Sequence, residues 1–312
     1  MISIVGALRK YRLFGFCPWL YIILVAAICL SGTANPVHAS GGVVIGTTTL
    51  LYSGSPADKI DVVFIGDGFK ENQQGKFNTR VDEAVEEFLS AHPLQTLRSA
   101  FNIHRINIAS PQSGTDTYSR CGGEDTGKDN RSRTTALDTG YCAAGSGDVE
   151  RCILSSDPDY IETVVGNNVP GYDLIYVLVN DTGHGGCKSR GQIPIAYSTI
   201  EDDFEEAVIH EMGHLIFGLG DEYDSDDTQT ISPSANAQRT EPNLSYVADR
   251  SVKWNDLIAS STDVPTYEKS DCDDRDVDYD AEIDQVGTYE GAASKIYLRD
   301  LSCASRKQDE VF

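Results

Sequence analysis

The sequence predicts an α/β domain whose sheet is partly parallel, and three observations predict it. Two apolar runs, "KIDVVFIGDGF" (59–69) and "YDLIYVLVN" (172–180), are bounded by turn residues, as buried strands are. Between them "KFNTRVDEAVEEFLSA" places Val81, Ala84, Val85 and Phe88 on one helical face, and "FNIHRINIA" (101–109) alternates as a strand does. Strand–helix–strand alternation followed by an irregular C-terminal third reads as one domain with a loop-rich C-terminal part.

The first element, residues 1–39, is expected to lie outside that domain. Arg9, Lys10 and Arg12 precede an apolar run from Leu13 to Leu30, and "SGTANPVHAS" follows. This is the pattern of a signal peptide cleaved after Ala39, so the protein is expected to be secreted or periplasmic, with no stable membrane association. Residues 40–57 read as a short polar lead and 58–312 as one single domain. Loss of the leader takes three positive charges and no negative ones, lowering the net charge from −23 to −26. Such a surface repels nucleic acid and anionic membranes and excludes both as partners. Cys121, Cys142, Cys152, Cys187, Cys272 and Cys303 remain, an even number with no CxxC pair, which predicts up to three disulfides. The Gly, Ser, Thr and Asp-rich residues 111–157 read as a long, disulfide-tied insertion. "DTGHGGCKSRG" reads as a glycine-rich loop and "QIPIAYST" (192–199) as a strand whose Pro194 suits a sheet edge.

The chemistry concentrates in "VIHEMGHLIFGLGDEYD" (208–224). Val208, Met212, Leu215 or Ile216, and Leu219 predict one buried helix face. His210 and His214 lie one turn apart on another face, where their imidazoles can converge on one ion. Glu211 between them can reach a water on that ion without binding the metal itself. This HExxH spacing supplies two zinc ligands and a general base, because neutral imidazole suits zinc and a catalytic site keeps one position for water. Gly218 can end the helix and turn the chain back. A third ligand is then expected at Asp221, with Glu222 the alternative. Metzincin peptidases place theirs three residues after such a glycine, in HExxHxxGxxH or HExxHxxGxxD. Here the spacing is HExxHxxxGxxD, one residue longer before the turn.

The segment "VIHEMGHLIFGLGDEY" resembles the signature HEfGHsfxgLaDEY of the IgA peptidase family of secreted bacterial zinc metallopeptidases. The likeness runs from about residue 58 to 306, through "VVFIGDGF", "ASPQSGTD", "IYVLVND", "VGTYEGAASKIY" and "YLRDLSC". The resemblance implies a metzincin-like α/β zincin with a twisted mixed sheet and an active-site helix beneath it. It implies zinc bound by His210, His214 and Asp221, with Glu211 assisting attack of zinc-bound water on a protein or peptide substrate. It also implies an edge strand that grips extended substrate, assigned here to 193–199. In one respect the chain departs. The family's methionine beneath the metal has no counterpart, since Met1 and Met212 are the only methionines and Ser305 stands in that place.

Two weaker patterns complete the reading. "DCDDRDVDYDAEID" (271–284) carries Asp274, Asp276 and Asp278 at alternate positions, a candidate for Ca2+ that lacks the glycine and terminal glutamate of an EF-hand loop. It motivates a second reading, an extracellular calcium-stabilised binding or adhesion module on a weakened peptidase scaffold. "NRS", "NDT" and "NLS" fit the glycosylation pattern.

Overall fold

The structure, a computed structural model, describes residues 41–91, 93–142, 149–189, 194–202, 204–220, 241–245, 249–264, 286–291 and 296–298. Its elements begin with strand β1 (Val43–Leu51), strand β2 (Ile60–Asp67), helix α1 (Gln74–Ser90) and strand β3 (Phe101–Ala109). Four short strands follow: β4 (Arg120–Cys121), β5 (Glu124–Asp125), β6 (Thr139–Tyr141) and β7 (Ile153–Ser155). Then come helix α2 (Pro158–Asn168), strands β8 (Leu174–Val179), β9 (Gly186–Lys188) and β10 (Ile195–Thr199), and helix α3 (Phe204–Met212). Strands β11 (Leu244–Ser245), β12 (Tyr289–Gly291) and β13 (Ile296–Leu298) form a small antiparallel sheet in the order β11-β13-β12.

The main sheet has six strands in the order β1-β3-β2-β8-β10-β9. Its four inner strands are parallel, and an antiparallel strand closes each side. Parallel strands buried on both faces read as continuous apolar runs, which is why β2 and β8 stand out in the sequence. One face packs against α1 through Phe77, Val81, Ala84 and Phe88, and against α3 through Phe204, Val208 and Met212. The other packs against α2 through Ile161, Val164 and Val165, and against Leu137, Tyr141 and Ile153 of the insertion.

Two expectations about the sheet are corrected. The segment read as a lead, 40–57, contains β1, which pairs antiparallel with β3 along its length. Its first seven residues are exposed (Val43 65%, Ile45 51%) and only Leu50 and Leu51 at its end pack on the core, so no amphipathic alternation betrays it. The strand at 195–199 is not the edge either. It is β10, second from the side, and β9 covers it. Three residues opening with glycine carry too little pattern to be read as a strand. Pro194 sits just before β10, where its missing N–H costs no ladder bond, and its carbonyl accepts from Ile175 N at 3.0 Å.

The insertion is tied down as its cysteines predict, by Cys121–Cys142 and Cys152–Cys187. Cys272 and Cys303 lie outside the described residues, as do the leader and the aspartate-rich candidate calcium loop. A fully buried carboxylate adds a further anchor. Asp67, at the end of β2, accepts the backbone N–H groups of Leu137 (2.8 Å) and Thr139 (3.1 Å) and the hydroxyls of Thr135 (2.8 Å) and Thr139 (2.6 Å). Burial raises its pKa and these donors oppose the rise. Helix α2 opens with Asp157 accepting from Tyr160 N and Pro158 in its first turn, ordinary start signals for a helix.

Candidate active site

Helix α3 follows β10 after a short turn and carries Glu205 and Glu206 in its first turn, where its dipole favours negative charge. Phe204, Val208 and Met212 enter the core at i, i+4 and i+8, and Leu215 and Ile216 pack against it partly buried. The predicted face is therefore present from Val208 to Ile216, with Phe204 added at its start, whereas Leu219 lies past Gly218, where the helix has ended.

Beyond Met212 the helix changes. Residues Gly213–Phe217 form a π-turn, which ends at Gly218 with φ 65°, and the Gly218 N–H donates to Gly213 O. A π-turn places one more residue in a single turn than an α-helix does. It accommodates the extra residue counted between His214 and the glycine. Gly218 is where a left-handed backbone is required, and a side chain there would be strained.

This geometry brings His210 and His214 together. Their Nε2 atoms lie 3.1 Å apart, with ring centroids 4.6 Å apart and the planes crossing at 84°. His214 Nδ1 lies 2.6 Å from the carbonyl oxygen of Leu219. A carbonyl only accepts, so Nδ1 carries the proton, and the Nε2 lone pair is directed to the side shared with His210. A backbone carbonyl behind the imidazole is the usual orienting partner of a ligating histidine. Two borderline nitrogen donors converging in this way fit a zinc ion. The third predicted ligand, Asp221, and its alternative, Glu222, lie outside the described residues. Among the described residues no group of three or more His, Cys, Asp and Glu side chains is placed to hold a metal.

Glu211 is 7% exposed and faces the sheet edge. A Cβ built on Gly186, the first residue of β9, would stand 3.1 Å from Glu211 Oε1. Beneath the helix Tyr176 of β8 is fully buried, and its hydroxyl donates to Ala207 O at 3.4 Å. Burial raises the Tyr176 pKa, the Glu211 carboxylate adds to the rise, and the Ser198 hydroxyl opposes it. Tyr176 thus remains a neutral phenol near the glutamate.

The chain leaving the helix is also held. Asn243 accepts the Gly220 N–H at 2.9 Å and donates to Gly220 O at 2.8 Å, a reciprocal pair one residue before Asp221. In the sequence Asn243 stands out only as part of a glycosylation pattern. Both Asn180 and Asn243 are buried and bonded through their amides. Asn130 is exposed. His184, which sits in the glycine-rich loop, pairs with Glu201 at 2.7 Å. Gly186, Tyr176 and Asn243 reach the site from elements distant in sequence, and no local motif points them to it.

A mixed α/β sheet carrying a helix with two convergent histidines and a glutamate is consistent with a peptidase domain. The model of the family described as IgA peptidase M64 matches residues 48–311, so the chain belongs to that peptidase family. No curated protein matches the chain.

Proposed function

We propose that the protein is a secreted zinc metalloendopeptidase with a metzincin-like catalytic domain. The observation that carries this reading is the convergence of His210 and His214 Nε2, with the His214 tautomer set by Leu219 O. His210, His214 and Asp221 would hold the ion. A zinc ion there would supply Lewis acidity towards water and the scissile carbonyl.

The chain's own residues do the rest. Glu211 takes the proton of the attacking water and passes it to the leaving amine, as a carboxylate next to the reacting centre can. Its burial excludes competing water, and Tyr176 below it stays protonated. Membership of a peptidase family implies protein or peptide substrates. An extended segment of substrate would add to the outer edge of β9, the strand beside Glu211, through backbone hydrogen bonds. Two disulfides are compatible with an extracellular or periplasmic location. Among the described residues no helix is long and apolar enough to cross a membrane.

The test compares zinc-loaded, oxidised wild-type protein with Glu211→Ala on a complex peptide mixture, reading new termini by mass spectrometry. The expected result is cleavage by wild type that a chelator stops. The variant should keep zinc and lose activity by roughly 10²–10⁴-fold, the usual contribution of a general base. Cleavage of equal extent by both proteins removes Glu211 from the mechanism. Failure of wild type to bind zinc overturns the reading.

A further inference from the structure

Strand β9 is three residues long, and among the described residues its ladder runs to β10 alone. So short a strand has little cooperative hold of its own. It nevertheless lies against the carboxylate on which the proposed chemistry depends. A Cβ on Gly186 would come 3.1 Å from Glu211 Oε1 and 3.8 Å from Glu211 Cγ, so the carboxylate occupies room that a side chain would need. What holds the strand comes from the insertion. Cys187, the next residue, is bridged to Cys152 at the head of β7. Tyr141, the last residue of β6, donates its hydroxyl to Gly183 O at 2.7 Å, with Asp181 Oδ1 3.2 Å from the same oxygen. Both residues lie in the loop that leads into β9. Burial raises the pKa of Tyr141, which keeps this donor protonated.

We propose that the Cys152–Cys187 disulfide and the side-chain-free Gly186 together position Glu211: the bridge fixes β9, and β9 fixes the carboxylate. The proposal rests on the peptidase reading. It makes Gly186 and the disulfide positioning residues, since neither touches the reacting atoms. It also gives the two disulfides different duties. Cys121–Cys142 closes a turn within the insertion, whereas Cys152–Cys187 joins the insertion to the sheet edge beside the site.

The experiment compares the oxidised, zinc-loaded protein with Cys152→Ser/Cys187→Ser, and with Cys121→Ser/Cys142→Ser as the matched control. Measured for each are kcat and KM on one peptide, zinc content, thermal midpoint, and amide exchange at 186–188 and 196–198. Both double variants should melt earlier. Only loss of Cys152–Cys187 should lower kcat, by roughly tenfold or more, with zinc content held, because small misplacements of a reacting group are costly; KM should rise as well, since β9 is also the proposed substrate edge. Only that variant should lose exchange protection along β9 and β10. Equal losses of kcat in the two pairs overturn the proposal.

A second arm needs no disulfide removed. Gly186→Ala should lower kcat, and Glu211→Asp should cost at least about tenfold less in that background than in wild type, because the shorter carboxylate relieves the crowding. Additive losses overturn the role of Gly186. If wild type cleaves nothing while binding zinc, the peptidase reading fails by itself. Amide exchange then still decides whether the bridge holds β9: unchanged protection overturns the device, and loss confined to the Cys152–Cys187 variant supports it.

Discussion

At the scale of single residues, the site is made by side chains whose freedom has been removed by their neighbours. His214 is oriented by Leu219 O, and Leu219 is followed directly by the Gly220 amide groups that Asn243 clamps. The Asn243 pair therefore supports both the histidine's orienting carbonyl and the approach to Asp221. Replacing Asn243 by Ala leaves a buried N–H and a buried C=O without that partner, at a cost of about 1–3 kcal/mol for each group. Groups that orient a metal ligand from behind typically change affinity by about 10–100-fold when removed. We expect Asn243→Ala to weaken zinc binding by about that factor, as read by competition with a chelator of known affinity. An unchanged zinc affinity, with only a lower melting point, would assign Asn243 to the scaffold alone.

At the scale of elements, the decisive feature is the π-turn that closes the helix bearing His210 and His214. The sequence shows one residue more between His214 and the turn glycine than the shorter motif has, and Gly213–Phe217 holds it within one wide turn. If Phe217, which is 41% exposed, is the surplus residue, its deletion should convert the turn to α-helical spacing and leave the two histidines in place. The deletion variant is expected to fold and to bind one zinc per chain with affinity within about tenfold of wild type, since both histidines lie before the cut. The control is removal of Ala207, which lies before both histidines and turns them by about 100° relative to the core-facing residues that precede it. That control should not fold to a zinc-binding protein. Equal loss of zinc by both deletions would refute the π-turn account. The same scale explains what is legible in the sequence. Strands β2, β3 and β8 and helix α1 are legible because apolar runs and helical spacing report burial directly. Helix α2 carries signals too, Asp157, Pro158 and the spacing of Ile161, Val164 and Val165, but the polar insertion before it masks them. Strand β9 is illegible, since its place depends on pairing with β10 and on a disulfide, neither of which leaves a periodic trace. The HExxH pair is legible because one helix turn brings it together, whereas Gly186, Tyr176 and Asn243 converge only through the fold.

At the scale of the whole molecule, charge is expected to set how substrate arrives. The chain has 48 acidic and 25 basic side chains, a net charge of −23. Surface potentials of that sign raise the local concentration of cations and speed their encounter, and salt screens the effect over about 10 Å at 0.1 M. The proposed binding edge, β9, would recognise backbone and so discriminate little by sequence. Long-range attraction would then be the first filter among peptides, favouring Lys- and Arg-rich segments before any pocket is reached. Raising ionic strength from about 0.02 to about 0.2 M should lower kcat/KM for a basic peptide by several-fold while changing a neutral peptide of the same length by less than about twofold. The effect should appear in kcat/KM and vanish from kcat at saturation, because encounter rather than chemistry is screened. Equal salt profiles for the two peptides would mean that the acidic charge is spread evenly enough, or far enough from the cleft, to leave the approach unsteered, and selectivity would then have to come from contacts made at the strand edge itself.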